Sequence, residues 1–429
     1  MHSTRFPALE SVISEGQTAF HVINLGCKVN RVESDTIAAS LLAKGCKATA
    51  LDEARLVVVN TCTVTGEADK KARKAVRHAL ATAKNAVVVV TGCSVAIDAD
   101  TYRNLDSRVE VIQRADLLMA LAQDEASSHV RMGEGFRTRV SLKVQDGCDH
   151  ACTYCIVHVA RGPATSVPAE KVMADARRYL ERGVKELVLT GIDLGSYRDG
   201  DMRVEHLVEG LLELADTCAG AGEQPARVRA SSLEPHSISD RFIELLATSD
   251  GRLCRHVHLP LQSGSTRVLH EMARTYSAES FTELIAELRS RVPSLSLTTD
   301  IICGFPGETE EDFARTLEIA RACAFSKIHV FPYSRREGTP AAARADQIDA
   351  LVKTERTSKL RSLAEELREA DLRSRSGNVE LALVEGDVAL TESYHEIPAP
   401  AGARLGQLVA IEVNSHTVPA YPPSSAAGR

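Results

Sequence analysis

The stretch Gly147-Cys-Asp-His-Ala-Cys-Thr-Tyr-Cys155 places three thiols, Cys148, Cys152 and Cys155, in a CxxxCxxC loop with no fourth cysteine near it in sequence. Structural zinc takes four closed ligands, whereas a [4Fe–4S] cluster held by three cysteines keeps one iron open to a substrate or cofactor. The spacing therefore points to a cluster with chemistry at its open iron. The competing reading is a zinc site completed by His150, His158 or a distant cysteine.

Working outward, the loop follows an expected strand at Val140–Val144, the first of six strand-loop-helix units. Further strands are expected near Leu187–Thr190, Val228–Ser231, His256–Leu259, Leu297–Ile302 and Ile328–Phe331, with helices such as Ala169–Arg182 and Phe281–Arg291 between them. Six βα units in series suggest a partial (βα)6 barrel, whose functional groups lie in the loops after the strands. Glycine-bearing loops at Gly191–Gly195 and Gly304–Gly307 fall there, as do Glu234 and Gln262. Arg274 and the Arg335–Arg336 pair are guanidinium forks suited to a carboxylate or phosphate.

Upstream, Val22–Leu25, Leu56–Val59 and Val87–Val90 read as short buried parallel strands, separated by helical patterns at Glu33–Lys44 and Gly66–Thr82. A cysteine follows each strand: Cys27, Cys62 and Cys93. Open α/β sheets bind ligands outside the carboxyl ends of their strands, so these three thiols are expected to converge as a second site. The other cysteines, Cys46, Cys218, Cys254, Cys303 and Cys323, lack that pattern and are read as core or surface residues.

With 429 residues and 44% apolar content the chain can bury two or three domains. Residues 1–20 carry no signal-peptide core, and the longest aliphatic run, Ala86–Val90, is too short to span a bilayer, so a cytoplasmic protein without a membrane partner is expected. Eleven cysteines in a reducing compartment are metal ligands or buried hydrophobes rather than disulfides. A net charge of −7 neither demands nor excludes a nucleic-acid partner. Lys70, Lys71, Arg73, Lys74 and Arg77 crowd one helix that could meet an RNA backbone, or simply face solvent. Gln123–Gly135 reads as a linker, and Pro419–Arg429 as a frayed tail. After a charged helix near Ile348–Arg373, strands at Val379–Val384, Val388–Thr391 and Gln407–Val413 suggest a small β domain that lacks an aromatic platform for stacking bases, Tyr394 being its only clear candidate, so RNA binding does not follow from this domain alone.

The order of these parts resembles the radical S-adenosylmethionine (SAM) methylthiotransferase family over roughly residues 20–413. Leu25-Gly-Cys-Lys-Val-Asn30, Asn60-Thr-Cys-Thr-Val-Thr65 and Thr91-Gly-Cys93 resemble its first domain, and Gly147–Cys155 with Ala160-Arg-Gly-Pro163 its radical SAM signature. The wording is most similar to the MtaB-type branch, which acts on N6-threonylcarbamoyladenosine next to the tRNA anticodon. After Cys93 the chain departs from the family's aromatic-Ala-Gln continuation with Ser-Val-Ala-Ile-Asp98.

The resemblance implies an α/β protein in three parts: an N-terminal open parallel α/β domain at 18–125, a radical SAM barrel at 136–365 and a TRAM-like β domain with a tail at 366–429. It implies two [4Fe–4S] clusters, one on Cys148, Cys152 and Cys155 that binds and cleaves SAM, the other on Cys27, Cys62 and Cys93 that presents sulfur. Gly191, Ser232, Glu234, Gln262 and Arg274 are the expected SAM contacts. The implied partners are the tRNA anticodon stem-loop and an electron donor such as flavodoxin or ferredoxin. Two other substrates stay open, isopentenyladenosine in tRNA and an aspartate of a ribosomal protein, as does a zinc-stabilised RNA-binding protein without catalysis.

Overall fold

The computed structural model describes residues 5–14, 17–121 and 138–414; the expected linker and tail lie outside them. These residues group into two compact units. One takes those up to 121 with 146–164 and 334–343; the other takes 138–145, 165–333 and 344–414. The CxxxCxxC loop thus groups with the N-terminal sheet, and the C-terminal sheet with the barrel strands.

In the first unit, β1 (Ala19–Asn24), β2 (Lys47–Ala48), β3 (Leu56–Thr61), β4 (Val87–Gly92) and β5 (Val109–Val111) form a sheet in the order β2-β1-β3-β4-β5. Every pairing is parallel. The valine run of β3 is buried on both faces, as a central parallel strand requires. Val57, Val59, Val88 and Val90 pack with Ala72, Val76 and Ala79 of the helix Gly66–Thr82, while Val58 and Val89 pack with Ile37 and Leu41 of the helix Lys28–Ala43. The first of these helices has its expected bounds, and Thr65 caps it by accepting from the Ala68 amide at 3.1 Å. The second begins five residues earlier than expected, so that Cys27 sits at its N-cap. The short strands β2 and β5 were not legible in the sequence.

In the second unit, β6 (Arg139–Lys143), β7 (Glu186–Thr190) and β8 (Arg227–Ala230) form one parallel sheet. A second joins β9 (His256–His258), β10 (Ser296–Cys303) and β11 (Lys327–Pro332). Isolated parallel bridges, Val228 to Leu253 and Ser232 to His258, link the two, giving six strands in sequence order. This is the expected partial barrel. Val228, Val257, Leu297, Ile301 and Ile328 face a helix-covered core with Phe242, Phe281 and Phe313. The alternate residues, such as His258, Thr298, Asp300 and His329, point to the opposite, polar face.

The helix Ala350–Ser374 leads to an antiparallel sheet of β12 (Val379–Val384), β13 (Val388–Thr391), β14 (Glu396–Pro398) and β15 (Leu408–Glu412), ordered β14-β13-β12-β15. A fully buried ion cluster fastens it to the barrel. Arg227 and Arg229 pair with Glu186, and their remaining N–H groups donate to the carbonyls of Leu381, Leu390, Thr391 and Glu392. Tyr394 stacks on His256 at 4.8 Å beneath the Arg229 guanidinium, so its ring is packed against barrel residues. No helix among the described residues is long and apolar enough to cross a membrane.

Burial alone would raise the Glu186 carboxyl, but the two guanidiniums override it and hold the pKa down to about 2. A depressed carboxylate contributes stability in full above its ordinary value near 4.5, and loses it as pH falls from there toward 2. Chemical denaturation of Glu186→Gln should show a loss of about 3 kcal/mol at neutral pH, because two buried arginines lose their counter-charge. The variant's stability should also fall less steeply than wild type between those two pH values.

Candidate active site

Three parallel strands end level with one another. Asn24, Asn60 and Thr91 are neighbours in register, so the residues that follow them emerge along one sheet edge. Cys27, Cys62 and Cys93 meet there around Asn30, which is fully buried. The Cys27 Sγ lies 3.6 Å and the Cys93 Sγ 4.0 Å from Asn30 Oδ1. A Cβ placed on Gly26 would stand 2.8 Å from the Cys62 Sγ, so only glycine, here at φ +107°, lets that turn pass the thiol. Gly92, at φ +97°, is equally constrained: a Cβ there would meet the Thr61 carbonyl at 2.4 Å.

Asn30 is anchored by donating to the carbonyls of Leu25 (2.9 Å) and Thr61 (2.8 Å), leaving its oxygen aimed at the sulfurs. That oxygen also accepts from Arg161 Nη2 at 2.5 Å. Arg161, with 1% of its side chain exposed, pairs at Nη1 with Glu33 (3.1 Å) and Asp146 (2.7 Å), and Arg114 joins the same two carboxylates. One buried cation therefore sits beside the three thiols and is fully compensated. Burial pushes the Cys62 thiol up and the Cys93 thiol to about 11, with Arg161 pulling both back down.

The second trio lies on the loop that carries Arg161. Cys152 is buried, while Cys148 and Cys155 are half-buried. The loop is closed at its base by the Cys148 amide donating to the Gly162 carbonyl at 3.1 Å, and a Cβ on Gly147 would collide with the Pro163 carbonyl. The Cys155 amide donates to the Cys152 carbonyl (3.0 Å), and the Val157 amide points at the Cys155 Sγ (3.4 Å). Thiol donors with a backbone N–H directed at sulfur are the surroundings an iron–sulfur cluster takes, so the residues present fit that group. Ser334, Arg336 and Ala341 complete the unit. Ser334 Oγ accepts from the Gly66 amide at 3.0 Å, Arg336 pairs with Asp69 and donates to Thr63, and the Ala341 amide donates to Thr153. The expected anion-gripping role of Arg336 is thereby corrected, since its guanidinium is spent inside the protein.

Four of the expected cofactor contacts follow barrel strands, and Arg274, beyond the helix Thr266–Glu271, reaches them by pairing with Glu234. Gly191 follows β7, where a Cβ would stand 2.8 Å from Gln145 Oε1, and that oxygen accepts from the amides of Ile192 and Asp193. Ser232 bridges to His258, and Gln262, at φ +65°, donates its amide to the Asp300 carbonyl at 2.8 Å. Glu234 and Arg274 are an ion pair, and Arg274 is also held by Tyr276, 5.0 Å from its ring. Sequence reasoning did not single out Asn30 or Arg161, although both stand in the motifs it quoted. The spacing of Asn30, one helical turn after Cys27, was the available signal.

Residues 142–320 match the family model of the radical SAM superfamily, and residues 19–113 that of the uncharacterized protein family UPF0004. The threonylcarbamoyladenosine tRNA methylthiotransferase MtaB of Bacillus subtilis is 37% identical, over 81% of this chain and 80% of its own. The protein of that name from Thermotoga maritima is 33% identical over 91% and 93%. A tRNA-2-methylthio-N(6)-dimethylallyladenosine synthase of Bacillus subtilis is 32% identical over 86% and 76%. Among solved structures, the radical S-adenosylmethionine methyltransferase TsrM of Kitasatospora setae shares the fold at a TM-score of 0.56, with 14% identity over 76% of this chain and 77% of that one.

Replacing Arg161 by methionine would leave Glu33 buried with Arg114, 21% exposed, as its ion-pair partner. Thermal or chemical denaturation of the purified variant should show a loss of about 3 kcal/mol. An unchanged stability would mean that the guanidinium is not balancing these carboxylates.

Proposed function

Because the chain belongs to the radical SAM methylthiotransferase family, we propose that it transfers a methylthio group to C2 of N6-threonylcarbamoyladenosine next to the tRNA anticodon. The observation that carries the substrate is the set of relatives named for that nucleoside, 31–37% identical over most of the chain. The dimethylallyladenosine synthases at 32% keep the adenine chemistry and change only the N6 substituent, which makes them the second reading.

In this reading Cys148, Cys152 and Cys155 hold the cluster that serves SAM, and Cys27, Cys62 and Cys93 hold a second one. When bound, these groups supply the one-electron cleavage and the sulfur that an unactivated ring C–H bond demands. The chain's own residues supply position and charge. Asn30 fixes the orientation of two thiols, Arg161 holds the Asn30 oxygen and eases ionisation of Cys62 and Cys93, and the Val157 amide points at the Cys155 sulfur. Gly191, Ser232 and Gln262 present backbone and small polar groups where SAM is to lie, with Glu234 and Arg274 acting there as one braced pair. The exposed Lys70, Lys71, Lys74 and Arg77 face solvent opposite the buried Ala72 and Val76 and suit an RNA backbone. A flavodoxin or ferredoxin is the electron donor this chemistry needs.

Nucleosides from tRNA of cells lacking the gene should lose 2-methylthio-N6-threonylcarbamoyladenosine by mass spectrometry. Wild type should restore it, and Cys62→Ala or Cys152→Ala should not. Loss of the dimethylallyl derivative instead would transfer the proposal to the second reading. The anaerobically purified protein should be brown, with each cysteine variant holding roughly half the wild-type iron, as expected when one ligand set of two is broken. A colourless, zinc-bearing protein would overturn it.

A further inference from the structure

Asp69, on the helix Gly66–Thr82, gathers the residues that stand just behind two of the N-terminal thiols. Its Oδ1 accepts from the Thr63 hydroxyl at 2.9 Å and from the Ser94 hydroxyl at 2.5 Å. Thr63 follows Cys62 and Ser94 follows Cys93 in the chain, and both are buried. Ser94 Oγ also lies 3.2 Å from the Cys62 carbonyl. One carboxylate oxygen thus ties together the chain on the far side of two cysteines that are distant in sequence. Its Oδ2 pairs with Arg336 Nη1, while Arg336 Nη2 donates to Thr63 Oγ1 at 2.5 Å. The guanidinium therefore grips both the carboxylate and one of the hydroxyls that the carboxylate holds.

Arg336 is carried by the segment 334–343, which meets both thiol trios. Near its start, Ser334 and Arg336 hold Gly66, Thr63 and Asp69. Near its end, the Ala341 amide donates at 2.9 Å to the carbonyl of Thr153, which stands between Cys152 and Cys155. The stretch between these anchors is bonded to itself. Thr339 donates its amide (3.1 Å) and its hydroxyl (2.7 Å) to the Arg336 carbonyl, and Arg335 Nε donates to the Ala342 carbonyl at 2.8 Å. Arg336, Thr339 and Ala341 are all buried. A short segment locked internally and anchored at both ends keeps its anchors at a set separation, which a free loop of that length would not.

We infer that 334–343 is a positioning strap: Arg336, acting through Asp69, Thr63 and Ser94, sets where Cys62 and Cys93 lie relative to the turn from Cys152 to Cys155. This rests on the proposed function, in which a ring carbon activated through one cluster must meet sulfur held at the other, and it names what fixes that approach. Such a reaction depends steeply on distance, since a misplacement of about 1 Å can cost about a hundredfold. Arg336 is a positioning residue, acting on the sulfurs only through its neighbours.

The test compares reconstituted wild type with Arg336→Met, with the charge-balanced pair Asp69→Asn and Arg336→Met, and with a glycine inserted between Gly338 and Thr339. One readout is the electron paramagnetic resonance spectrum of the second cluster in a Cys152→Ala background, where it is the sole cluster. The other is the 5′-deoxyadenosine released per stem-loop modified, using the RNA that wild type methylthiolates, whichever N6 substituent it bears. Melting temperature should fall in Arg336→Met, which strips Asp69 of its counter-charge, and recover in the charge-balanced pair. That pair should nonetheless keep shifted g values, or lose the second cluster's iron, and should raise the 5′-deoxyadenosine ratio about tenfold or more. The insertion retains both anchors, so it should raise the ratio while leaving the spectrum as in wild type. If Arg336→Met does not fold, the charge-balanced pair and the insertion carry the test. A charge-balanced pair with wild-type spectrum and ratio would show that Arg336 only balances Asp69, and a wild-type ratio in the insertion would show that the strap's length is immaterial; either would overturn this inference alone. A wild type that holds zinc, or no second cluster, would overturn it together with the function above.

Discussion

One buried guanidinium holds the N-terminal unit's chemistry in place. Arg161 lies among Asn30, Glu33 and Asp146, and through Asn30 it acts on the sulfurs of Cys27 and Cys93. A charge taken out of water must be matched, and here two carboxylates balance two guanidiniums, since Arg114 shares Glu33 and Asp146 with Arg161. Arg161 also ends the segment bearing Cys148, Cys152 and Cys155, and the Cys148 amide closes that segment on the next residue, Gly162. A shift of Cys27 or Cys93 would disturb the Asn30 oxygen that Arg161 holds.

The placement of the thiols follows from the sheet. Parallel strands in register deliver their carboxyl ends to one edge, so three cysteines spread over 27–93 need no long loops to meet. Two glycines then absorb the crowding, Gly26 against Cys62 and Gly92 against the Thr61 backbone. The barrel applies the same rule on its own terms. Its strands carry the residues expected to meet SAM at their ends, and one layer deeper they carry His258, Asp300 and His329.

Much of this was legible because the chemistry repeats. The strands β3 and β4 announced themselves as valine runs and the six of the barrel as short apolar or alternating stretches, and each candidate cysteine stood just past such a stretch or in a spacing that points to a cluster. What stayed hidden depended on partners far apart in sequence. Glu186, Arg227 and Arg229 are ordinary charged letters until β7 and β8 pair and bury them. Arg336 looked like a free fork because Asp69 and Thr63 lie more than 260 positions away. Tyr394 invited a nucleic-acid role by being the lone aromatic of its sheet, yet His256 had already claimed its face. His258, Asp300 and His329 alternate with core residues, and period-two patterning reports burial, not which polar neighbours meet across strands.

The arginines that join barrel and C-terminal sheet grip carbonyl oxygens at Leu381, Leu390, Thr391 and Glu392. Every amino acid carries that oxygen. Substitution along this part of the sheet therefore leaves the attachment intact as long as the main chain keeps its path, whereas an inserted or deleted residue would slide the carbonyls out of reach of both guanidiniums. The attachment tolerates drift in spelling and forbids drift in length.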